Sequence, residues 1–500
     1  MIIGAGPAGL TAAYELSKAG VQSVVVEKDR AVGGLARTVD YKGYLFDIGG
    51  HRFYTKVKAV EAMWREVLPA GQFLRRPRLS RIYFDRKFFN YPLRLGNTLK
   101  GLGVWNSALI VLSYLHAQLW PAQPEITFEQ WVSNRFGRRL YELFFKTYTE
   151  KVWGIPCSEI MAEWAAQRIK GLSLLTAVRN ALMRGPASGN GAVIKTLIDE
   201  FDYPTRGPGM MWEAVADTVQ RKGGRLKLGT SVRAIHWEGR RVRAVDVEAD
   251  GRRGRLVGDH VISSMPIAEL IAGLEPAAPP HVQAAARNLH YRDFLTIALV
   301  VNKADLFPDN WIYIHEPGVK VGRIQNFKNW SPHMVPHPAK TCLGLEYFCF
   351  EGDDLWTMND ESLLGLARHE LEVLGLARAE DVEDGAVLRV PKAYPVYDAG
   401  YARALATIRE FLAGIDNLHL VGRNGMHHYN NQDHSMLTAM LTVRNILGGE
   451  RFDVWKVNVD PDYLEDGAEV DEVAYLAATQ PLVPRTLPRP AESTEVEPRP

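Results

Sequence analysis

Apolar positions organise the start of the chain. Met1 to Ile3 form a short apolar run, a glycine-punctuated turn follows, and a helical pattern then continues to about Gly20. A second apolar run, Ser23-Val-Val-Val26, stops at Glu27. Run, turn, helical periodicity and run predict strand, helix and strand, the opening of a parallel sheet. Tyr44 to Phe53 reads as a strand running into a glycine loop, 57–80 as helical, and Arg81 to Phe89 as a hairpin around Asp85-Arg86 that Asn90-Tyr91-Pro92-Leu93 closes. From Leu95 to about Met183, aromatic and aliphatic residues recur at three and four spacing, which predicts an almost wholly helical block. Residues 184–191 are too rich in glycine for a core element. Beyond them come a helix to about Lys222, a strand at Arg225 to Leu228, a hairpin from Ser231 to Glu248 and a strand at Asp259 to Pro266. Residues 291–350 alternate apolar and polar positions with many aromatics, which predicts a second sheet, with a helix over 361–375. Leu418 to Arg423 reads as a strand entering a loop and Ser435 to Leu447 as a helix.

The first turn carries chemistry as well as geometry. Gly4, Gly6 and Gly9 stand in the spacing G-x-G-x-x-G between strand and helix. The first glycine permits the turn, the second lets backbone approach a pyrophosphate, the third lets helix pack on strand, and the helix N-terminus offers free N–H groups. Glu27, at the end of the second strand, is placed to accept a ribose hydroxyl. Gly33-Gly34-Leu-Ala-Arg37-Thr38 then supplies the paired-glycine extension of FAD enzymes, so the expected cofactor is FAD.

These elements predict an α/β fold in three parts. A discontinuous Rossmann-like FAD-binding domain takes residues 1–80, 206–270 and 416–450, because a strand after a long insertion commonly returns to the sheet where the chain began. A helical domain is inserted at 95–200. A second, antiparallel-sheet substrate domain takes 81–94 and 271–415. Residues 451–500 form a C-terminal extension, and 481–500, rich in proline and charge without apolar periodicity, are expected to be disordered.

Composition narrows the function classes. The 500 residues, 46% hydrophobic and 23% charged, fit a soluble globular protein of two or three domains. Lys plus Arg (59) against Asp plus Glu (58) leaves a net charge of +1, so no nucleic-acid partner is expected and an anionic ligand must be met by local arginines. Cys157, Cys342 and Cys349 form no pairing framework, which with the absence of a leader before the nucleotide motif points to the cytoplasm. The most apolar window, Asn106 to Trp120, is broken by Ser113, His116 and Gln118 and is shorter than the roughly 20 residues of a membrane span. Of an interfacial helix and a buried or dimer-facing one, the second is expected there. His427, His428 and His434 match no usual ligand spacing, so no metal site is expected.

Four further segments need an explanation. Lys146-Thr-Tyr148-Thr-Glu150-Lys151-Val-Trp153-Gly154, with Arg168 downstream, reads either as a stacking face and a phosphate fork or as a packed aromatic helix with a surface arginine. Arg323 lies in an apolar strand, where a charge is costly, so it meets either a buried carboxylate or an anionic ligand, the second being favoured. Tyr394 and Tyr397 stand at a strand end and are expected to face one side; their hydroxyls suit sugar or phosphate recognition, and a half-buried strand rich in tyrosine is equally an ordinary packing element. Gly422-Arg423-Asn-Gly-Met-His427-His428-Tyr429-Asn430-Asn431-Gln432-Asp433-His434-Ser435 is dense in polar groups before a helix; Asp433 or Ser435 caps that helix, or its N-terminus faces a flavin edge.

The chain resembles the flavin-dependent UDP-galactopyranose mutases and their relatives in the amine-oxidase and protoporphyrinogen-oxidase-like flavoprotein group. The resemblance spans nearly all of residues 1–450 and rests on GAGPAG with Glu27, FDIGGH at 46–51, FFNYPL at 88–93, YTEKVWG at 148–154, AAQRIKG around Arg168, GRI at 322–324, YPVYD at 394–398 and NNQDHS at 430–435. It implies that Gly49, Gly50 and His51 lie against the isoalloxazine, that Gly422, Arg423, Asn431, Gln432 and Asp433 hold the flavin or the sugar beside it, and that Arg168 and Arg323 grip a nucleotide-sugar diphosphate. Tyr91, Trp153, Tyr394 and Tyr429 become substrate contacts, and His51, Arg168 and Arg323 the catalytic side chains. The chemistry implied is pyranose/furanose interconversion by reduced FAD, with flavin N5 as nucleophile, no net redox, and NAD(P)H at most an external reductant. The rival expectation is an FAD-dependent oxidase or dehydrogenase of the amine-oxidase or protoporphyrinogen-oxidase type.

Overall fold

The computed structural model describes residues 1–91, 95–162, 200–448 and 451–457. The opening run forms the strand Ile2–Ile3 at the centre of a five-stranded sheet whose order is Leu418–Leu420, Val261–Ser263, Ile2–Ile3, Val24–Val26 and Arg225–Lys227. All its pairs are parallel, Ile2 lying between Ile262 and Val25. Strands of two or three residues suffice because the sheet is covered on both faces. On one side lie Pro7–Lys18, Gly209–Arg221 and Gln432–Gly448. On the other, Ile3, Val26, Val261 and Leu418 pack against Ile267–Ala272, Pro280–Arg287 and Tyr401–Leu412. Residues 271–415 are thus not one sheet unit, since two of their helices cover the parallel sheet.

The second sheet has seven strands in the order Val382–Pro395, Tyr291–Val301, Thr341–Cys349, Arg323–Asn326, Trp311–Ile314, Ser80–Phe84 and Lys87–Asn90. Its pairs are antiparallel except Trp311–Ile314 with Ser80–Phe84. Alternation decides what each face does. Leu295, Ile297, Ile312, Ile324, Leu345 and Tyr347 join Leu363, Ala367 and Leu371 of the helix Asp360–Val373 in one apolar core. The opposite face carries Thr296, Glu346, Arg323 and Tyr313, which the register places in one row across four strands. Of that row, Arg323 lines the site described below, with its partner Glu346 behind it.

The helical insertion comprises Leu95–Leu119, Phe128–Phe136 and Arg138–Tyr141, the last continuing through a π-helical stretch, Glu142–Lys146, into Thr147–Trp153. Thr127 and Gln130 form a capping box at the second helix. Phe128, Trp131, Phe136, Tyr141, Phe144 and Trp153 pack with Phe89 of the hairpin, which docks the insertion on the second sheet.

Several local expectations differ from the structure. The helix predicted over 57–80 is confined to Lys58–Val67, because Pro69 and Gly71 end it, and the chain then pairs Phe73–Pro77 with Glu200–Pro204. Leu95–Leu119 is broken at Gly103, whose φ of 79° and ψ of 165° are not helical. Its segment Asn106 to Trp120 is not buried as a whole: Ile110, Tyr114 and Ala117 face inward, whereas Val111, Leu112, Leu115, Leu119 and Trp120 are exposed. The final helix starts at Gln432, so Ser435 lies inside its first turn and is no cap. Asp85 and Arg86 do form the predicted hairpin turn, both at positive φ (51° and 55°). Among the described residues no helix is long and apolar enough to cross a membrane.

Two outcomes test this packing. A methyl group on Gly9 meets the Gly4 carbonyl oxygen at 1.9 Å, so Gly9→Ala displaces the helix from the sheet. A destabilisation of about 1–3 kcal/mol and loss of most bound flavin are expected, read by thermal melting and by absorbance of the purified protein. Asp47 is buried and accepts from Thr38 and Tyr203, yet burial raises its pKa to about 7. A carboxyl raised in the folded state contributes fully below its unfolded pKa, and that contribution is lost as pH rises through about 7. Melting temperatures of Asp47→Asn and the parent, compared from about pH 5 to about pH 8, should diverge in favour of the variant as pH rises.

Candidate active site

The glycines of the first turn open a cavity of about 550 Å³ between the two sheets. Gly4 (φ 99°) and Gly34 (φ 52°) occupy backbone conformations that side chains avoid. Gly34 also lies so close to Gly6 that a Cβ on it would meet the Gly6 Cα at 3.1 Å. Gly6, Pro7, Ala8 and Gly34 line the cavity, while Gly9 and Gly33 support it from behind. Glu27 is held by two backbone donors, Ala5 N at 2.7 Å and Asp29 N at 3.0 Å, and faces the same space. Arg37 also lines it and pairs with Asp29 at 2.6 Å. The N-termini of Pro7–Lys18 and Gln432–Gly448 converge here, Gln432 and Ser435 lining the wall, and two positive dipole ends suit an anion between them. A glycine cradle, a fixed acidic terminus and two helix N-termini fit the dinucleotide of a flavin. The buried Oε1 of Gln432, which has no hydrogen-bond partner among the described residues, remains as a polar group for the ring system.

His51, Arg423 and Gln432 also border a smaller chamber of about 110 Å³ lined by Gly49, Gly50, Arg52, Tyr54, Phe294, Arg323, Tyr394, Tyr429, Asn431 and Asp433. Arg323 is 19% exposed and ion-paired with Glu346, which is fully buried; Gln325 Nε2 donates to the other Glu346 oxygen at 2.8 Å. The two alternatives for Arg323 are therefore not exclusive: it has its carboxylate, and it still lines the chamber. Arg423 is held differently. Its Nε donates to the Asn430 carbonyl and a terminal nitrogen to the Ala393 carbonyl, both at 2.9 Å, and its guanidinium lies 4.7 Å from the Tyr429 ring centre and 5.4 Å from that of Tyr394. Among the described residues no carboxylate pairs with Arg423, so its positive charge is left to the cavities it borders.

Burial sets the protonation states. Burial, the Arg423 charge and then the Arg323 charge push the His51 pKa down to about 3, so the imidazole is neutral. Its Nδ1 lies 3.2 Å from the Gly49 carbonyl, which can only accept, so Nδ1 carries the hydrogen and Nε2 is an acceptor. Burial raises the Tyr148 and Tyr394 pKa values, keeping both hydroxyls protonated.

The structure brings Gly49, Gly50, His51, Arg323, Tyr394, Arg423, Tyr429, Asn431, Gln432 and Asp433 together. Trp153 is 4% exposed and packs edge-on to Tyr394 at 6.4 Å, behind the chamber wall. Tyr91 packs on Tyr313 at 5.0 Å, also one layer back. Tyr394 and Tyr397 do not share a side: Tyr397 leaves the strand, accepts from the Tyr429 backbone N–H at 2.6 Å and stacks on Tyr401. Arg168 lies outside the described residues. His427 packs on Tyr291 at 4.8 Å, and among the described residues no group of three or more His, Cys, Asp or Glu is arranged for a metal ion.

Residues that sequence reasoning missed are mostly partners across strands. Glu346, Tyr313 and Thr296 flank Arg323 only through register, and His315 stacks flat on Tyr148, with centroids 5.0 Å apart and planes 5° apart. A buried arginine is a signal that a carboxylate exists, but not of where it sits.

Comparison with known proteins agrees with this geometry. The Klebsiella pneumoniae protein described as a probable UDP-galactopyranose mutase is 26% identical over 173 residues, covering 32% of this chain and 42% of its own length. The L-amino acid oxidase Cdc18 of Crotalus durissus cumanensis is 42% identical over 66 residues, 13% of each chain. The matched stretches thus span less than half of these relatives. Among solved structures, that of a reduced UDP-galactopyranose mutase superposes with a TM-score of 0.79 at 22% identity, covering 92% of this chain and 97% of the other. A putative protoporphyrinogen oxidase from Exiguobacterium gives 0.66 at 17%, covering 89% and 97%, and putrescine oxidase bound to putrescine gives 0.59 at 18%, covering 89% and 98%. These likenesses establish the fold, an α/β nucleotide-binding unit with helical and antiparallel-sheet parts. Residues 7–446 match the flavin containing amine oxidoreductases, and with the cradle and cavity described above the chain belongs to that family.

Proposed function

We propose that the protein is an FAD-dependent nucleotide-sugar mutase that interconverts pyranose and furanose forms without net redox. The observation that carries this reading is the polar wall of the chamber. Arg323, held by Glu346 and Gln325, faces the space beside the flavin cavity, Arg423 stands at the junction with no carboxylate partner among the described residues, and Tyr394, Tyr429, Asn431 and Asp433 also line the chamber. Guanidinium groups and hydroxyls suit a polyhydroxylated, doubly anionic substrate. An apolar porphyrinogen would strand the polar groups. The mutase names among the relatives and solved structures support the same reading.

Bound FAD, in its reduced form, supplies the nucleophile for the anomeric carbon, NAD(P)H serving at most as reductant. The protein's residues bind, orient and stabilise. Gly4, Gly6, Gly34 and Glu27 hold the adenosine diphosphate half, and Gly49, Gly50, Gln432 and Asp433 border the ring end. Arg423 and Arg323 offset the charge of the departing diphosphate, with Arg168 assigned as the third guanidinium. His51 is too weak a base to store a proton, so its Nε2 orients a sugar hydroxyl by accepting a hydrogen bond. Tyr394 and Tyr429, stacked 5.7 Å apart, present hydroxyl groups to the sugar or phosphate. Three buried, unpaired cysteines are consistent with work in a reducing compartment such as the cytoplasm.

Chemically reduced, anaerobic protein incubated with UDP-, GDP- and TDP-hexoses should give furanose product without consuming reductant. Flavin reduction by an amine or porphyrinogen with peroxide release in air, and no furanose, would replace this reading with an oxidase. Arg323→Ala alone leaves Glu346 charged and buried, a loss of about 3–5 kcal/mol in melting stability. The double variant Arg323→Ala/Glu346→Gln should recover stability and flavin yet bind UDP-hexose about a hundredfold more weakly, measured by flavin fluorescence titration. Undiminished affinity in the double variant removes Arg323 from the substrate site.

A further inference from the structure

Two cations, Arg292 buried and Lys151 half-buried, are spent on main-chain carbonyls rather than on carboxylates. Lys151 Nζ donates to the carbonyls of Ile314 at 3.3 Å, Glu316 at 2.6 Å and Val321 at 3.2 Å, which gather the ends of two adjoining strands. Arg292, 6% exposed, donates through Nε to Val152 at 3.1 Å and through one terminal nitrogen to Lys151 at 3.3 Å and Phe348 at 2.9 Å. Its guanidinium lies 4.1 Å from the Phe350 ring centre. Among the described residues neither cation has an ion-pair partner.

Both cations act on the same helix, Thr147–Trp153, from opposite directions: Lys151 reaches out of it to the second sheet, and Arg292 reaches from that sheet to its terminal carbonyls. Gly154 ends the helix at φ 68°, and a Cβ there would lie 2.5 Å from the Arg292 guanidinium, so the glycine serves both turn and anchor. The helix carries Tyr148, which packs edge-on to Tyr313 at 5.4 Å and flat on His315, and Trp153 against Tyr394. Tyr313 is directly opposite Arg323 in the sheet. A buried charge without a counter-charge is expensive. Apolar packing would fasten a helix more cheaply, but it would not fix rotation and height to within a fraction of an ångström, which a site requires.

We infer that Lys151 and Arg292 are positioning residues for the sugar-nucleotide chamber: through six hydrogen bonds to main-chain carbonyls they fix the helix that sets Tyr148 and Trp153 against Tyr313, Tyr394 and thus Arg323. This rests on the mutase reading only for the identity of the ligand.

The test uses the FAD-loaded full chain with UDP as the probe. Lys151→Met and Arg292→Met should keep flavin content while weakening UDP affinity about tenfold or more, and Lys151→Arg, which keeps charge and donors, should recover most of it. Affinity within about twofold of the parent in both Met variants overturns the proposal. If the parent itself binds no UDP, the substrate reading fails and amide exchange over 147–153 decides the anchors. Exchange about tenfold faster in the Met variants, with the helix Pro7–Lys18 unchanged, supports them, and unchanged exchange overturns them. Should the Met variants fail to fold, Arg292→Lys, too short to reach both helix carbonyls, is read by the same two measurements.

Discussion

Burying a guanidinium beside a fully enclosed carboxylate is the constraint around which the second sheet is arranged. Arg323 and Glu346 face each other across adjacent strands, and neither tolerates loss of the other, because the desolvation cost of each charge is met only by the pair and by Gln325. The strands must therefore keep one register. A slip of a single residue would move Arg323 into the apolar core with Ile324 and Leu345, and bring those residues to the chamber. Register thus links the stability of the sheet to the polarity of the site wall.

The charge distribution around that pair is graded. Arg323 is neutralised and acts as a rigid donor. Arg423 is solvated by carbonyls and aromatic faces and keeps its charge for the cavities. Lys151 and Arg292 lie further back with carbonyls alone, and burial has pulled the Lys151 pKa down to about 8. Neutral His51 and the protonated tyrosines add no negative charge at the wall. Arg52, Arg323 and Arg423 line the chamber together with Asp433, and a low-dielectric wall makes such local charges count for more than the chain's net +1.

Legibility from sequence followed the range of the interactions. The glycine spacing, Glu27 and the hairpin at Asp85-Arg86 depend on neighbours a few residues away, and the pattern alone located them. The run at 429–433 was legible as part of a dense polar segment, and the chamber loop at 49–51 as a glycine loop at a strand end. What stayed hidden is non-local: Glu346 lies 23 residues from Arg323, Thr296 meets them through a third strand, and the carbonyls that hold Lys151 have no sequence signature at all. The helix expected over 57–80 fails for a local reason that was visible, Pro69 and Gly71, but the apolar spacing before them outweighed it. The placement of Pro280–Arg287 and Tyr401–Leu412 on the parallel sheet depends on tertiary packing, which no pattern within 271–415 records.

The same reasoning separates what the scaffold fixes from what it leaves free. The parallel sheet, its glycines and the two converging helix N-termini suit a flavin, and solved structures of a mutase, a putative protoporphyrinogen oxidase and putrescine oxidase share the fold at low identity. Chemistry is then chosen by the side chains that the second sheet turns toward the ring. A row reading Thr296, Glu346, Arg323 and Tyr313 costs the sheet apolar contacts on that face. Within that row Arg323 and Glu346 meet each other's desolvation cost, so one guanidinium can reach the chamber while the aliphatic side chains of the other face form the core.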